Sequence, residues 1–170
     1  MNRALFLDRD GVINRDREYL HRQEDFEFID GIFELCRHYQ ERGYRIVVVT
    51  NQSGIARGYY SEADFAGLTA WMCERFEEEG VTITAVYHCP HHPEITGPCR
   101  CRKPEPGMLL QAARDHRIDL NASVLIGDAP RDIEAALRAG VPKRYLFDPA
   151  GRAPAAEATK TIQSLKELLC

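Results

Sequence analysis

The chain has 170 residues, of which 44% are hydrophobic and 28% are charged, and its formal net charge is −4. This length suits a single domain over residues 1–170 with its own hydrophobic core, and the acidic balance argues against nucleic acid or a membrane as a partner. No apolar run reaches the roughly 18 to 20 residues of a membrane helix, and the start lacks a signal-peptide pattern. We therefore expect a cytoplasmic protein, and a monomer because no long apolar surface stripe is left over.

Strand and helix patterns alternate along the sequence. The first strand, at residues 4–7, is apolar and stops abruptly at Asp8, Arg9, Asp10 and Gly11. The elements predicted after it are a polar loop at 15–28, a helix from 31 to 43, a strand at 45–50, a helix from 61 to 80, a strand at 81–87, a helix from 106 to 113, a strand at 123–128, a helix at 130–139, a strand at 144–147, a small-residue linker at 151–158 and an amphipathic last helix at 162–169. Such alternation predicts an α/β fold with a Rossmann-like parallel sheet flanked by helices.

Acidic residues collect where the predicted strands end. Asp8 and Asp10 project to the same side of the extended chain, and they repel each other unless a cation or a proton lies between them. Taken alone, this stretch also fits an ordinary polar exit from a strand. Asp128 ends a later strand, and the carboxyl ends of parallel strands share one edge of the sheet. Three carboxylates there suit Mg²⁺, while Thr50 and Lys103 offer donors for phosphoryl oxygens, so the set predicts phosphoryl transfer.

A second candidate metal site lies in the cysteine-rich segment. Cys89-x-His91 and Cys99-x-Cys101 supply three thiolates and an imidazole, a closed tetrahedral set typical of structural Zn²⁺. The one-residue gaps are tighter than usual, so reduced cysteines in a loop are the alternative, and the neighbouring His92 is a second candidate ligand. A closed site leaves no position for water, so this metal would brace the loop before the lysine and would not catalyse.

Several motifs resemble the haloacid dehalogenase-like phosphatases. The stretches FLDRDGVIN, VVVTNQSGIARG, CPHHPE, CRCRKPEPGML and GDAPRD carry the resemblance, which extends from the start to about Val141. The closer similarity is to the branch that acts on heptose bisphosphates in cell-envelope sugar synthesis, and the histidinol-phosphate phosphatases are near relatives. The resemblance implies a fold without a large cap domain, and Mg²⁺-dependent hydrolysis of a phosphomonoester through an aspartyl-phosphate.

The resemblance also implies a role for each matching residue. Asp8 would be the nucleophile, and Asp10 would act as general acid and then as general base. Thr50 and Lys103 would stabilise the phosphoryl oxygens, and Mg²⁺ would be held by Asp8, the backbone carbonyl of Asp10, and Asp128. The positions that match substrate contacts are Asp16, Tyr19, Asn51, Gln52, Ser53 and Arg102.

Some positions depart from the pattern or stay open. Ala129 stands where the family often has lysine, so a phosphate contact is either missing or supplied by Arg131. Asp132 has two interpretations, a charge that stabilises a helix N-terminus or a residue that orients Lys103. Arg57 either faces a substrate phosphate or lies on an exposed loop.

The loop between the two cysteine-containing motifs does not decide which substrate the protein uses. The resemblance selects His91 over His92 as the zinc ligand, but the loop from His91 to Cys99 is short and approaches the histidinol type. A function of another class, a zinc-braced binding module for nucleic acid, would also explain the cysteines. The acidic charge and the absence of a basic stripe count against such a module.

Overall fold

The computed structural model describes residues 1–152 and 157–170. The strands in these ranges are β1 (Arg3–Leu7), β2 (Tyr44–Asn51), β3 (Ile83–Cys89), β4 (Val124–Gly127), β5 (Lys143–Phe147) and β6 (Lys160–Ile162). The helices there are α1 (Ile32–Glu41), α2 (Glu62–Glu78), α3 (Pro93–Thr96), α4 (Gly107–His116) and α5 (Pro130–Ala139). None of these helices combines the length and the apolar character needed to cross a bilayer.

The strands form one parallel sheet in the order β3-β2-β1-β4-β5-β6. The β-branched run of β2 and the apolar run of β1 are buried on both faces, as central strands of a covered parallel sheet are. The predicted α/β class and parallel sheet are therefore confirmed. No large cap domain is inserted in the described residues. The segment after β1 contains one 3₁₀ turn, and the segment after β3 contains the four-residue helix α3.

Alternate residues of β1 pack into two separate cores. Leu5 and Leu7 belong to the core that α1 and α2 cover, while Ala4 and Phe6 belong to the core under α4 and α5. The apolar stripe of α2 is buried in the first core, and Ser61 caps this helix through the predicted reciprocal bonds with Asp64. Helices on both faces leave the carboxyl edge of the sheet as the open side.

The strand order reverses direction beside β1, because β2 lies on one side of it and β4 on the other. Leu7, the last residue of β1, is paired with Val48 on β2 and with Ile126 on β4. The residues that follow β1 and β4 therefore emerge next to each other, at the crevice where open α/β sheets bind ligands.

The predicted last helix is wrong. Residues 160–162 form β6, which pairs with β5, and only a 3₁₀ turn at Leu165–Leu168 follows. The buried residues Ile162 and Leu165 are three apart, a spacing that a strand followed by a turn satisfies as well as a helix does. Residues 160–162 form a strand because they pair with the edge strand β5, and no local sequence pattern reveals this pairing. The predicted linker at 151–158 lies partly outside the described residues, which omit 153–156.

Candidate active site

Three elements bring Asp8, Lys103 and Asp132 into direct contact. Asp8 directly follows β1, Asp132 lies in the first turn of α5, and Lys103 arrives from the loop before α4. The Lys103 Nζ lies 3.1 Å from Oδ1 of Asp8 and 2.6 Å from Oδ1 of Asp132, and it donates to the backbone oxygen of Val49 at 2.9 Å. All three charged side chains are buried, so a low effective dielectric strengthens these contacts.

The buried carboxyls hold their protons unusually tightly. Burial, then repulsion from Asp132, raises the pKa of Asp8 to about 6, although Lys103 opposes the change. Burial and repulsion from Asp8 and Asp132 raise the pKa of Asp128 to about 9. Burial alone would lower the pKa of Lys103, but the adjacent carboxylates of Asp132 and Asp8 outweigh it and raise that pKa. Carboxyls this close repel one another when ionised, so the site favours a proton or a bound cation between them.

The residues present fit a magnesium ion. Carboxylate oxygens of Asp8, Asp128 and Asp132 lie within 4.8 Å of one another. Oδ1 of Asp128 is buried and has no hydrogen-bond partner among the described residues, which is the condition expected of a metal ligand. Gly11 lets the side chain of Asp128 lie close to the backbone that follows Asp10. The φ of Gly11 is +91°, and a Cβ there would lie 1.9 Å from Oδ2 of Asp128. Both oxygens of Asp132 are already engaged, Oδ1 by Lys103 and Oδ2 by two backbone amides of α5, so Asp8 and Asp128 are the carboxylates that fit the ion.

Donors from three directions fix the carboxylate of Asp10. Nη2 of Arg9 lies 3.1 and 3.2 Å from its two oxygens, Asn14 Nδ2 lies 3.0 Å from Oδ1, and Gln52 Nε2 lies 3.1 Å from Oδ2. The side chain of Asp10 remains 22% exposed. Asp10 is therefore oriented and still accessible, as a group that exchanges protons with a bound molecule must be.

The residues after β2 mainly support Lys103 and Asp10. Asn51 binds the backbone of Lys103 twice: its Oδ1 accepts from the amide at 3.0 Å, and its Nδ2 donates to the carbonyl at 3.2 Å. Gln52 is buried, donates to Oγ1 of Thr50 at 2.9 Å and accepts a hydrogen bond from the hydroxyl of Tyr60. Part of the predicted substrate-contact set thus also positions Lys103 and Asp10.

A cavity of about 390 Å³ opens beside Asp8 and Asp10. Its lining contains five of the six predicted substrate contacts, Asp16, Tyr19, Asn51, Gln52 and Ser53, together with Glu18, Gly54, Tyr60 and Arg131. Burial and the nearby Asp10 raise the pKa of Asp16, while the charge of Arg131 opposes this change. Arg131 is the cationic residue of this lining among the described residues. It therefore lies where it could supply the phosphate contact that a lysine at position 129 often makes in the family.

Two other arginines lie away from the cavity lining. Nη1 of Arg102, the sixth predicted substrate contact, is 3.5 Å from the backbone oxygen of His91. Arg57 lies over the ring of Tyr19 at 5.7 Å, and its Nη2 is 3.0 Å from Nε2 of His92. Arg57 therefore joins the loop after β2 to the cysteine-rich segment.

Three of the four predicted zinc ligands come together. Sγ of Cys99 lies 3.6 Å from that of Cys89 and 3.7 Å from that of Cys101, close to the edge of about 3.8 Å that a tetrahedron with Zn–S bonds of about 2.3 Å requires. Burial alone would raise the pKa of Cys99, but hydrogen bonds from the backbone amides of Arg102 and Cys101 lower it. Among the described residues, His91 lies outside this group of ligand atoms.

The contacts of Arg9, Asn14 and Tyr60 within the site were not predicted from the sequence. The sequence does hold a signal for Arg9, because a cation between two acids suggests a local pair, but nothing in the pattern indicates that it is buried. Asp132, whose role the sequence left open, serves in both ways: Oδ1 meets Lys103, and Oδ2 accepts from the backbone amides of Asp128 and Ala129 at 3.1 Å each.

The parallel sheet, with acids after β1 and β4 and a buried lysine between them, defines a haloacid dehalogenase-like hydrolase. The model of the HAD-hydrolase-like family matches residues 100–167. In structural comparison, the D,D-heptose 1,7-bisphosphate phosphatase from B. bronchiseptica, complexed with magnesium and phosphate, superposes with a TM-score of 0.84 and 30% identity, over 98% of both chains.

Sequence relatives define the family more narrowly. The chain is 46% identical, over 98% of its length and 94% of the relative, to D-glycero-alpha-D-manno-heptose-1,7-bisphosphate 7-phosphatase of Campylobacter jejuni. It is 49% identical, over 86% of its length and 84% of the relative, to the D-glycero-beta-D-manno enzyme of Helicobacter pylori. The chain belongs to the D-glycero-D-manno-heptose-1,7-bisphosphate 7-phosphatase family. Membership in a phosphatase family leaves the alternative of a binding module without support.

Proposed function

We propose that the protein hydrolyses the C7 phosphate of D-glycero-D-manno-heptose 1,7-bisphosphate through an aspartyl-phosphate. The close approach of Lys103 and Asp128 to Asp8 carries the proposal, because phosphoryl transfer needs chiefly positioning and neutralised charge. The names of the relatives supply the substrate. The cytoplasmic location and the monomeric state remain predictions from the sequence.

In the first step, a carboxylate oxygen of Asp8 attacks phosphorus. The amide of Arg9 and Nζ of Lys103 both bind Oδ1 of Asp8, so the attack is assigned to Oδ2. As the new P–O bond forms, the bond to the sugar oxygen breaks, and Asp10 delivers its proton to that oxygen. The products are the dephosphorylated alcohol and Asp8 carrying the phosphoryl group.

In the second step, Asp10 takes a proton from water as the water attacks phosphorus. The bond between phosphorus and Asp8 breaks, inorganic phosphate leaves, and the free carboxylate of Asp8 is restored. The ammonium of Lys103 stabilises phosphoryl oxygens in both steps, and the hydroxyl of Thr50, which is also buried, adds a donor. Asp10 ends the cycle protonated, as the first step requires.

Mg²⁺ is the cofactor that we propose, held by Asp8, Asp128 and the backbone carbonyl of Asp10. When bound, it would neutralise charge on the phosphate, which otherwise meets several carboxylates in the cavity. The cysteine cluster would hold Zn²⁺ as a structural ion through Cys89, Cys99 and Cys101, with His91 proposed as the fourth ligand.

The experiment compares turnover of the alpha and beta anomers of the heptose bisphosphate with turnover of histidinol phosphate. We expect kcat/KM to be higher for at least one heptose anomer, and the Asp8→Asn variant to be inactive while its circular dichroism spectrum is unchanged. Faster hydrolysis of histidinol phosphate would make that compound the substrate. Activity retained by Asp8→Asn would refute the covalent mechanism.

A further inference from the structure

Arg9 is the largest fully buried side chain of the described residues, with 1% of its surface exposed. Its guanidinium lies over the rings of Phe26 and Phe65, with Cζ 6.0 and 5.8 Å from their centroids. A buried charge costs free energy that an apolar side chain of similar volume would not, so an arginine here needs a reason beyond filling space.

The contacts of Arg9 supply that reason. Nη2 reaches both carboxylate oxygens of Asp10, at 3.1 and 3.2 Å, and Nε lies 3.4 Å from Oδ1. Nη2 also donates to the backbone oxygen of Leu20 at 3.0 Å. Leu20 follows Asp16 and Tyr19, which line the cavity, so one side chain connects the acid of the reaction to the loop that forms part of the pocket wall.

We infer that Arg9 is a positioning residue, which holds the carboxylate of Asp10 in the orientation for proton transfer and fixes it relative to the loop at 15–22. The inference rests on the proposed function. A planar guanidinium can bind both carboxylate oxygens and a carbonyl in fixed geometry, whereas an ammonium acts as a point charge on a flexible stem. Proton transfer requires heavy-atom distances of about 2.6–3.2 Å. Asn14 and Gln52 each bind one oxygen of Asp10, whereas Arg9 binds both, so without Arg9 the carboxylate is held less precisely.

The test uses two substrates that differ in their need for a general acid. The sugar oxygen must be protonated as it leaves, whereas p-nitrophenolate leaves p-nitrophenyl phosphate without protonation. Hydrolysis of the aspartyl-phosphate needs Asp10 as base with either substrate. An Arg9→Met variant should therefore lower kcat for the heptose bisphosphate by about 10²-fold with little change in KM.

With p-nitrophenyl phosphate, the same variant should release a burst of about one p-nitrophenolate per enzyme in stopped-flow absorbance, because the aspartyl-phosphate forms and then accumulates. A merely structural role would lower the burst and the steady state together. Arg9→Lys should restore part of the steady-state rate, and Arg22→Met, which removes an exposed arginine from the same loop, should change neither phase.

The inference is overturned if Arg9→Met slows the burst as much as the steady state, or if it raises KM alone. Should circular dichroism show that Arg9→Met does not fold, Arg9→Lys carries the test, because one ammonium cannot replace all the contacts. A burst followed by slowed turnover then supports the role, and wild-type kinetics overturn it. A wild-type enzyme inactive on both substrates would refute the proposed function itself, a result distinct from failure of the Arg9 inference.

Discussion

The carboxylate of Asp132 makes two kinds of contact, an ion pair with Lys103 and hydrogen bonds with backbone amides. Replacing Asp132 with asparagine should remove the first and keep the second. Oδ1 pairs with Lys103 at 2.6 Å, and Oδ2 accepts from two backbone amides at the start of α5. Asparagine has nearly the same shape, so its oxygen can keep the backbone amides. Its NH₂ group then faces the ammonium of Lys103, and the ion pair alone is lost. Alanine would remove both contacts.

Two opposing effects decide the stability of Asp132→Asn. Removing one partner of a buried ion pair costs about 3–5 kcal/mol, and the lower end applies because Lys103 keeps Asp8 at 3.1 Å. Loss of the charge also relieves the repulsion that helps to raise the pKa of Asp8 and of Asp128, worth about 1.4 kcal/mol for each pKa unit recovered. We expect the pair to dominate and the free energy of unfolding to fall by about 2 kcal/mol. In Asp132→Ala the free energy of unfolding should fall by at least about 4 kcal/mol, because two backbone amides also lose their acceptor.

Urea unfolding of the metal-free variants at neutral pH measures these free energies, and the release of p-nitrophenolate measures kcat. Turnover should fall in both variants because Lys103 is no longer directed by its shortest contact. Glu134→Gln is the matched control: this residue lies on the same helix with 47% of its side chain exposed, and its replacement should change the free energy of unfolding by less than about 0.5 kcal/mol. A more stable Asp132→Asn would show that repulsion outweighs the pair, and equal stability of both variants would refute the capping role.

Further predictions concern protons, the lysine loop and the cysteines. Because Asp8 and Asp128 have pKa values of about 6 and 9, above the ordinary 3.8, the folded metal-free protein binds more protons than the unfolded chain, and its stability should fall as pH rises through about 4 to 9. Mg²⁺ should therefore raise Tm more at about pH 8 than at about pH 5.5; an equal rise would contradict these assignments. Asn51→Ala should lower kcat by freeing the backbone of Lys103, whereas a change in KM alone would make Asn51 a substrate contact. Purified protein should contain about one zinc by metal analysis, and Cys99→Ser should lose it together with thermal stability; full zinc content in that variant would refute the site.

The sequence was sufficient to predict at which edge of the sheet the site forms. Parallel strands fix where their carboxyl ends lie, so the meeting of Asp8 and Asp128 follows from recognising two strands correctly. The place of Lys103 follows less directly from this rule, because a loop residue can lie near any edge. The sequence grouped Lys103 with the strand-end residues as a donor for phosphoryl oxygens, and the family resemblance gave it the same role.

Burial and long-range pairing were the properties that sequence patterns did not reveal. Arg9 looks like a solvated charge in a polar stretch, yet Phe26, Phe65 and the backbone of Leu20 enclose it. β6 likewise depends on β5, which precedes it by more than ten residues, and a run of three residues is too short to predict a strand. Each error therefore comes from a neighbour that is distant in sequence.

Lys103 depends on contacts with neighbouring segments because it lies on a loop and no strand positions it. Asn51 binds both backbone groups of Lys103, and the next amide, that of Gln52, donates to the carbonyl of Cys89 at 2.8 Å. The end of β2 thus holds the lysine on one side and the first cysteine on the other. Gly107 closes the far side of the loop, since a Cβ there would lie 2.1 Å from the backbone oxygen of Arg100. The contacts among the thiols complete this frame, because they join the end of β3 to the segment immediately before Lys103.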